Sequence, residues 1–323
     1  MLDDFSRTLD ALTHGQFSTL WVSRQKLATD GSPSARLAQE HILALPWAAP
    51  VHVTVMMALD IPHPRFTSLT PMARRAYGAA SAAFRQEAEA QAREVLAQGR
   101  CALEPHVDSV ATRMQEGSPG ALIVETARAC RADLVGVGSR GLGALKGFLL
   151  GSVSKHVVYH AHCSVLLAKC PPERAGRFLL ALDGSARSLA ALRWLTDLCL
   201  PPEAWIHVIS VLEFPKAPSN GPTLERRGPK KAVLGAGLEA HRAAAEGLVG
   251  EASRQLAAQG VRVTATVRRG RVASEVLAAA REFGPDLLIL GAKGQHSPPD
   301  LPLGTVARKI VDRAPCSTLI VRS

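Results

Sequence analysis

Aromatic residues are scarce in this chain, at 4% of 323 positions. Few side chains are therefore available to stack on bases, and the 38 Lys and Arg residues are dispersed along the sequence. We take the net charge of +10 to reflect composition, and we do not expect nucleic acid as a partner. The densest basic segment, 226–231, lies in a stretch rich in Pro and Gly, where a weak polyanion contact stays open as an alternative.

Long apolar runs and paired cysteines are also missing. No stretch approaches the roughly 20 residues of a membrane span, and the start MLDDFSR has no basic region leading into an apolar one. We therefore expect no membrane association and a cytoplasmic location. The 6 cysteines form no CxxC pair and no zinc-finger spacing, which is typical of reduced thiols in a cytosolic protein.

A repeat divides the chain into two halves. LATDGS (27–32) recurs as LALDGS (180–185), ADLVGVGSRG (132–141) as PDLLILGAKG (285–294), and HCSVLLAK (162–169) as PCSTLIVR (315–322). Each pair is separated by 153 positions, so no net insertion lies between these anchors. We expect one domain over 1–170 and a second over 177–323, joined through the proline-containing segment CPPERAGR.

Both halves show the same order of strand and helix patterns. The first half predicts strands to Thr29 and over 51–59, near 101–107, over 133–137 and over 163–168, with long helices over 72–98 and 119–131. The second half predicts the same series, with a helix over 238–259 and a third strand over 261–268. Five strands alternating with four helices predict an α/β fold with a doubly wound parallel sheet in each half. The two halves are expected to face each other as a pseudo-dimer.

Patterns for catalysis and metal binding occur in one half only or not at all. Four potential metal ligands lie within 156–163, but the second half repeats only the cysteine, so surface histidines are the favoured interpretation. These ligands are His156, His160, His162 and Cys163. The chain has no GxxxxGK[ST] loop, and Ser32 and Ser185 lie in no GxSxG motif, so both are expected to cap helices. The sequence therefore predicts no catalytic residue and no metal site.

A glycine motif follows the fourth predicted strand in each half. Gly136, Gly138 and Gly141 match GxGxxG, but the dinucleotide fingerprint follows a first strand and is followed by an acidic residue, which 155–165 lacks. Both halves keep GxxG, nine residues, then Gly and Ser or Thr. Glycines after a strand expose backbone N–H groups, and the start of the next helix adds its dipole, an arrangement that suits phosphate. The alternative is that the glycines only allow tight turns between strand and helix.

On these residues the chain resembles the universal stress protein family, in particular its ATP-binding members with tandem domains. The resemblance covers about 24–323 and rests on the aspartate after the first strand (Asp30, Asp183) and on the repeated glycine motif. It implies two tandem doubly wound five-stranded parallel-sheet domains of the Rossmann-like, adenine nucleotide alpha hydrolase-like type. It also implies ATP, with Mg²⁺ as a companion ion, a regulatory role in the stress response and a homodimer.

The family's nucleotide contacts fall on one set of residues in each half. The aspartate and a residue of the second strand would meet adenine and ribose, and the glycine motif would hold ribose and phosphates. In the first half the matching residues are Asp30, Met56, Gly138, Arg140, Gly141, Gly151, Ser152, Val153 and Ser154. In the second half they are Asp183, Val211, Gly291, Lys293, Gly294, Gly304, Thr305 and Val306.

The two halves differ inside this motif. LGALKGFLL (142–150) carries Lys146, whereas QHSPPDLPL (295–303) contains three prolines, which lack N–H donors, and Asp300, whose charge would repel phosphate. Ala307 also replaces Ser154. We therefore expect the first half to bind ATP more readily than the second. Slow ATP hydrolysis or adenylyl transfer at the same crevice, and an interaction module that needs no nucleotide, are the alternatives.

Overall fold

A computed structural model describes residues 23–48, 50–61, 71–139, 150–172, 176–213, 229–295, 297–298 and 301–322. The side chains of 23–26, 71–80 and 229–238 fall outside that description. The first half contains, in order, β1 (Ser23–Ala28), α1 (Pro33–Ala44), β2 (Val51–Leu59), α2 (Pro71–Leu103), β3 (Ser109–Glu116), α3 (Pro119–Ala129), β4 (Leu134–Gly138), α4 (Ser152–His160) and β5 (Ser164–Ala168). The second half contains β6 (Arg177–Ala181), α5 (Ala186–Thr196), β7 (Trp205–Leu212), α6 (Pro229–Ala257), β8 (Arg262–Arg269), α7 (Val272–Phe283), β9 (Leu287–Gly291), α8 (Thr305–Arg313) and β10 (Ser317–Val321).

The strands form one ten-stranded sheet in the order β3-β2-β1-β4-β5-β10-β9-β6-β7-β8. Strands within each half are parallel, and the order reverses between β1 and β4 as in other doubly wound sheets. The predicted fold class, two tandem doubly wound parallel-sheet units, is confirmed.

The two halves meet edge to edge rather than face to face. β5 and β10 pair antiparallel, with Val165 opposite Ile320, and so join two parallel sheets into one. The expectation that the halves face each other is wrong in this respect. Because the central pair is antiparallel, the carboxyl ends of the strands of one half lie at the opposite end of the sheet from those of the other.

Helices cover both faces of the sheet. One apolar cluster joins the sheet to α1, α2, α5 and α6, and a second joins it to α3, α4, α7 and α8. Every residue of β4, β5 and β10 is buried, as expected of strands covered on both faces. None of the helices in the described ranges combines the length and the apolar composition of a membrane span.

The third strand of the first half was predicted in the wrong place. Helix α2 continues to Leu103, whose side chain is fully buried, and β3 begins only at Ser109. The segment 101–107 therefore supplies the last turn of a helix and a loop, because burying Leu103 from a helix outweighs its short apolar pattern. The second-half strand, expected over 261–268, is found at Arg262–Arg269, and the repeat distance of 153 would have placed β3 correctly.

Candidate functional site

The strand order reverses between β1 and β4, and a doubly wound sheet leaves a crevice at the carboxyl ends of two such strands. These strands are neighbours, with Leu27 opposite Gly136, but α1 leaves β1 toward one face of the sheet and α4 follows β4 on the other. Diverging connections of this kind leave the space in which doubly wound proteins bind ligands. Asp30 and Gly138, which the sequence assigns to one site, are brought to this edge together.

A tight turn fixes Asp30 at the edge of the first crevice. Its Oδ1 accepts a hydrogen bond from the backbone N–H of Ser32 at 2.9 Å, and Gly31 takes the positive φ of 75° that this turn requires. Ser32 Oγ in turn accepts from the N–H of Ala35 at 3.2 Å and caps α1. The predicted cap is therefore confirmed, and the carboxylate is held by the residues that start the helix.

The second half builds the same turn. Asp183 Oδ1 accepts from the N–H of Ser185 at 2.9 Å, and Ser185 Oγ accepts from the N–H of Ser188 at 3.2 Å. Ser185 is therefore the N-cap of α5, as predicted.

Close packing by itself accounts for the glycine at the end of β4 and of β9. A Cβ on Gly138 would lie 2.4 Å from the carbonyl carbon of Ser34, and a Cβ on Gly291 would lie 2.8 Å from that of Arg187. Both neighbours are backbone atoms in the first turn of a helix, α1 or α5, so neither can move aside without moving the helix. These two glycines are therefore needed for strand-to-helix packing, whatever the crevice binds.

Backbone contacts place the start of α4 beside the end of β4. The N–H of Gly151 donates to the carbonyl of Ser139 at 2.9 Å, and the buried Ser154 Oγ donates to the carbonyl of Gly138 at 2.6 Å. The only hydroxyl proton of Ser154 is thus used inside the protein. Ser152 is exposed, and no side chain in the described residues caps the first N–H groups of this helix.

The remaining first-half candidates are buried, half-buried or outside the described residues. Val153 packs partly into the core, and the side chain of Met56 is only 1% exposed. Met56 reaches the crevice edge through its carbonyl, which accepts from the N–H of Thr29 at 2.9 Å. Arg140 and Gly141 lie outside the described residues.

The glycine loop of the second half lies against its aspartate. Asp183 Oδ2 accepts from the N–H of Gln295 at 3.2 Å, and the Gln295 side-chain amide donates to the Asp183 carbonyl at 2.6 Å. The N–H of Gly294 donates to Ser297 Oγ at 3.1 Å. Two backbone donors of this loop, the N–H groups of Gly294 and Gln295, are therefore bonded to the protein's own groups.

The other second-half candidates occupy positions equivalent to those of the first. Lys293 is half-buried, and its backbone carbonyl accepts a hydrogen bond from Ser185 Oγ at 3.4 Å. Gly304 precedes α8 and its N–H donates to the carbonyl of Ala292 at 2.8 Å. Thr305 is exposed, whereas Val306 and Val211 are half-buried at the edge of the core.

Sequence reasoning missed Gln295 and Ser297. Neither belongs to a motif, and both lie in a segment that the sequence analysis interpreted through its prolines and Asp300. A signal was present, since the equivalent first-half residues are Leu142 and Ala144, whose side chains have no polar atom. A polar residue in one loop, where the aligned loop has an apolar one, is a signal that can be found in the sequence.

The histidines of 156–163 show no arrangement that would bind a metal ion among the described residues. The rings of His156 and His160 are 4.5 Å apart on the exposed side of α4, and Cys163 is buried. Across the part of the chain that the structure describes, no three His, Cys, Asp or Glu residues are grouped so that they could hold a metal ion.

A family model matches both halves of the chain. The model of the universal stress protein family matches residues 27–169 and again 175–322. A putative universal stress protein from Staphylococcus aureus is 30% identical over 145 residues, which are 44% of this chain and 81% of that protein. One from Methanocaldococcus jannaschii is 47% identical over 60 residues, but the match spans only 19% of this chain and 35% of that relative's length.

A solved structure has the same fold over nearly the whole chain. The crystal structure of a universal stress protein from Archaeoglobus fulgidus has a TM-score of 0.58 at 18% identity, covering 93% of this chain and 98% of that one. The similarity therefore extends over both halves and their arrangement, and at this identity it concerns the fold alone.

Proposed function

The chain belongs to the universal stress protein family, and from that premise we propose that it binds ATP in the crevice of its first half and acts as a nucleotide-dependent regulator in the stress response. The observation that supports the proposal is the pairing of β1 with β4, which brings Asp30, after β1, and Gly138, at the end of β4, to the same edge of the sheet. This edge lies at the reversal of strand order, where doubly wound proteins bind their ligands.

The residues at this edge suit the two ends of an adenine nucleotide. The Asp30 carboxylate, held by Ser32, can accept hydrogen bonds from ribose hydroxyls or from the adenine amino group. The first N–H groups of α4 after Gly151, with the Ser152 hydroxyl, can donate to phosphate oxygens at the positive end of the helix dipole. Arg140 and Gly141 belong to the proposed set by the family resemblance.

The proposed roles of two residues differ from those of the other candidates. Ser154 Oγ donates to the Gly138 carbonyl, so we assign it to positioning α4 against β4. Met56 would offer its backbone, because its side chain is buried in the core. Mg²⁺ would accompany the triphosphate, and its charge would be balanced there by the phosphates.

Calorimetry with Mg-ATP on the full chain, using Asp30→Asn, tests the proposal. Asparagine keeps an oxygen that can accept from the Ser32 N–H but lacks the charge, so we expect ATP affinity to fall by about tenfold or more, since hydrogen bonds to charged groups contribute about 1.5–3 kcal/mol. Asp312→Asn, an exposed position on α8, serves as the control and should bind as the unchanged protein does.

A melting scan provides an independent measurement. ATP at 1,000 times its dissociation constant should stabilise the fold by about 4 kcal/mol, which raises the melting temperature. No heat of binding and no thermal shift at millimolar Mg-ATP would refute the proposal. Product analysis of the same samples decides between binding and slow hydrolysis.

A further inference from the structure

Helix α4, whose first N–H groups belong to the proposed phosphate site, has nine residues. A helix of this length is not stable in water by itself, because few hydrogen bonds offset the cost of its first turn. Contacts from the rest of the protein therefore determine where its two ends lie. At the start, Ser154 Oγ donates to the carbonyl of Gly138 and the N–H of Gly151 to that of Ser139, and all four residues belong to the first half.

The end of α4 is bonded to a residue of the second half. The last carbonyls of a helix have no donor within the helix. Here the guanidinium of Arg322, which follows β10, donates to the carbonyl of Val158 in the last turn of α4 and, at 3.3 Å, to that of Cys163. The start of this helix is thus positioned by its own half and its end by the other half.

Main-chain contacts with both halves fix Arg322 itself. Its N–H donates to Ser164 Oγ of the first half at 3.2 Å. The carbonyl of the preceding residue, Val321, accepts from the N–H of Ala292 of the second half at 2.9 Å. The side chain therefore extends from a backbone that neither half holds alone, and the position of the α4 end depends on the β5–β10 pairing.

The second half has the same arrangement with the roles of the halves exchanged. Lys169, the equivalent of Arg322 in the repeat, donates from Nζ to the carbonyls of Val311 and Ala314, at 2.8 and 2.9 Å, at the end of α8. Val311 is the equivalent of Val158. The same contact between a cation and a helix end thus occurs twice across the junction, and Lys169 provides a matched control for Arg322.

Phosphate binding depends on where the start of the helix lies. An N–H group forms a good hydrogen bond only within about 2.7–3.2 Å of its acceptor and close to a straight line. At about 1.5 Å per residue, α4 is only about 13 Å long, so it moves as one rigid body. A displacement at the Val158 end therefore also displaces the N–H groups of Ser152 and Val153.

We propose that Arg322 is a positioning residue for the nucleotide site of the first half: it holds the end of α4 so that the N–H groups at the start of this helix meet the phosphates. This inference rests on the proposed function for the ligand, and it makes ATP affinity in one half depend on a residue of the other. Arg322 acts on the phosphate end of the nucleotide and not on the adenosine, whose contacts are assigned to the Asp30 side of the site.

An NMR titration of the full chain with Mg-ATP tests the inference at the site itself. The amide signals of 152–154 report ATP binding in the first half alone. Arg322→Met removes the donors to α4 and should raise the dissociation constant for ATP about tenfold or more, the factor that corresponds to one hydrogen bond with a charged group. Adenosine, followed through the amide signals of Gly31 and Ser32, should bind within about twofold as in the unchanged protein, because effects at separate contacts are independent.

Lys169→Met is the matched control, because it removes a helix-end cation from α8 instead of α4. It should leave the ATP dissociation constant at 152–154 within about twofold of that of the unchanged protein. Arg322→Lys, the residue found at the equivalent position, should restore most of the affinity. Arg322→Gln, which keeps one donor group, takes the place of Arg322→Met if that variant does not fold.

Hydrogen exchange without nucleotide measures the helix contact. The N–H of Lys155, in the first turn of α4, should exchange at least about tenfold faster in Arg322→Met, whereas that of Arg308, in the first turn of α8, should not. Lys169→Met should give the reverse pattern. A general loss of stability would instead accelerate exchange in both helices of both variants.

The possible results separate this inference from the proposed function. Equal losses of ATP and adenosine affinity in Arg322→Met, equal losses of ATP affinity in Arg322→Met and Lys169→Met, or unchanged ATP affinity in Arg322→Met would each overturn the inference while the proposed function stands. An unchanged exchange rate of Lys155 in Arg322→Met would overturn it as well. If ATP shifts no signal of the unchanged protein, the proposed function fails and the inference fails with it.

Discussion

At the scale of single residues, Gly138 and Thr318 show that the surrounding atoms determine which side chain a position can hold. Gly138 looks like a ligand-binding glycine in the sequence, yet its lack of a side chain is already required by the backbone of Ser34. Thr318 is fully buried in β10, and its hydroxyl has no hydrogen-bond partner among the described residues. The equivalent residue of the first half is Val165, which has the same shape without the hydroxyl.

Gly138→Ala is expected to destabilise the fold. Its Cβ would lie 2.4 Å from a backbone carbon of α1, so the helix must shift, at a cost of about 1–3 kcal/mol in unfolding free energy. Urea unfolding measures this cost. Gly250→Ala, in the exposed part of α6 where no atom lies within 4 Å of a new Cβ, should instead stabilise by up to about 1 kcal/mol.

Equal unfolding midpoints for Gly138→Ala and the unchanged protein would contradict this account. The prediction also bears on binding experiments. A loss of ATP binding in Gly138→Ala would report a displaced α1, and Asp30→Asn is therefore the better probe of the crevice.

Thr318→Val is expected to stabilise the protein. Valine fills the same space and removes a buried hydroxyl that lacks a partner, which should raise the unfolding free energy by about 1 kcal/mol. The reverse change in the first half, Val165→Thr, places a hydroxyl among fully buried residues and should lower it by about 1–3 kcal/mol. Denaturant titrations of both variants measure the pair, and a gain in both or a loss in both would count against the explanation.

At the scale of elements, two cations bind helix ends across the junction of the halves. Lys169 follows β5 and donates from Nζ to the carbonyls of Val311 and Ala314, at 2.8 and 2.9 Å, at the end of α8. Arg322, the equivalent residue after β10, donates to the carbonyl of Val158 in the last turn of α4 and to that of Cys163, which precedes β5. Each cation therefore meets the negative end of a helix dipole in the other half.

The Arg322 guanidinium is largely buried, so its charge needs hydrogen-bond acceptors from the protein in place of water. Burial lowers the pKa of Arg322 to about 10, because removing water from a guanidinium disfavours its charge. The helix carbonyls compensate part of that cost by accepting hydrogen bonds from the cation.

Lys169→Met is expected to weaken the link between the halves. Methionine keeps most of the apolar length but leaves the carbonyls of Val311 and Ala314 without this donor, at a cost of about 1–3 kcal/mol in unfolding free energy. Lys169→Arg, the residue found at the equivalent position, should recover most of the loss. Thermal unfolding measures both, with Lys309→Met on the exposed side of α8 as the control.

A loss as small for Lys169→Met as for Lys309→Met would show that these bonds add nothing to stability. Exposed substitutions of this kind usually stay within about 0.5 kcal/mol.

At the scale of the whole molecule, the junction between the halves contains a buried histidine. His41 of α1 donates from Nε2 to the carbonyl of Cys170, which follows β5, at 2.8 Å. Burial lowers the pKa of His41, and the Cys170 carbonyl and Asp286 oppose this in part. The neutral ring is thus the form that fits the junction.

Acidification is expected to destabilise the protein through His41. The unfolded chain takes up a proton near pH 6.5, but the folded chain does so only at lower pH, so stability falls with pH below about 6.5, by at most about 1.4 kcal/mol per pH unit for this group. His41→Gln keeps a donor for the Cys170 carbonyl but does not titrate. Urea unfolding at pH 7.5 and 5.5 should show a smaller loss in this variant.

The comparison must separate His41 from the other histidines. Burial also lowers the pKa values of His156, His162 and His207, and these histidines are present in every variant compared. His106→Gln, at an exposed position, is the control and should lose as much stability on acidification as the unchanged protein does. The same loss in His41→Gln as in these two would assign the pH dependence to other groups.

Much of the fold could be predicted because the repeat provides two copies of the same series of strands and helices. The helix over 272–283 and the cap at Ser185 agree with the structure, since periodicity and capping depend on residues a few positions apart. The third strand of the first half, predicted near 101–107 but found at Ser109–Glu116, shows that the pattern of one half alone is not sufficient. A short apolar pattern at 101–107 fits a strand or the end of a helix, and only the burial of Leu103 distinguishes them.

The sequence predicts which strand ends carry the candidate residues but not which groups those residues contact. The sequence placed Asp30 and Asp183 beside the glycine motifs, and both do follow strands next to them. It could not show that Gln295 would bond to Asp183, because the two residues are 112 positions apart and neither belongs to a motif.

The sequence by itself determined the duplication, the order of strands and helices, and the family to which the chain belongs. These properties are encoded in spacing along the chain, which the repeat distance preserves. The tertiary structure decided that β5 pairs with β10 to make one sheet, and that the second glycine loop lies on its own aspartate. Both depend on which distant surfaces meet, and that is settled by the free energy of packing and hydrogen bonding in the assembled fold.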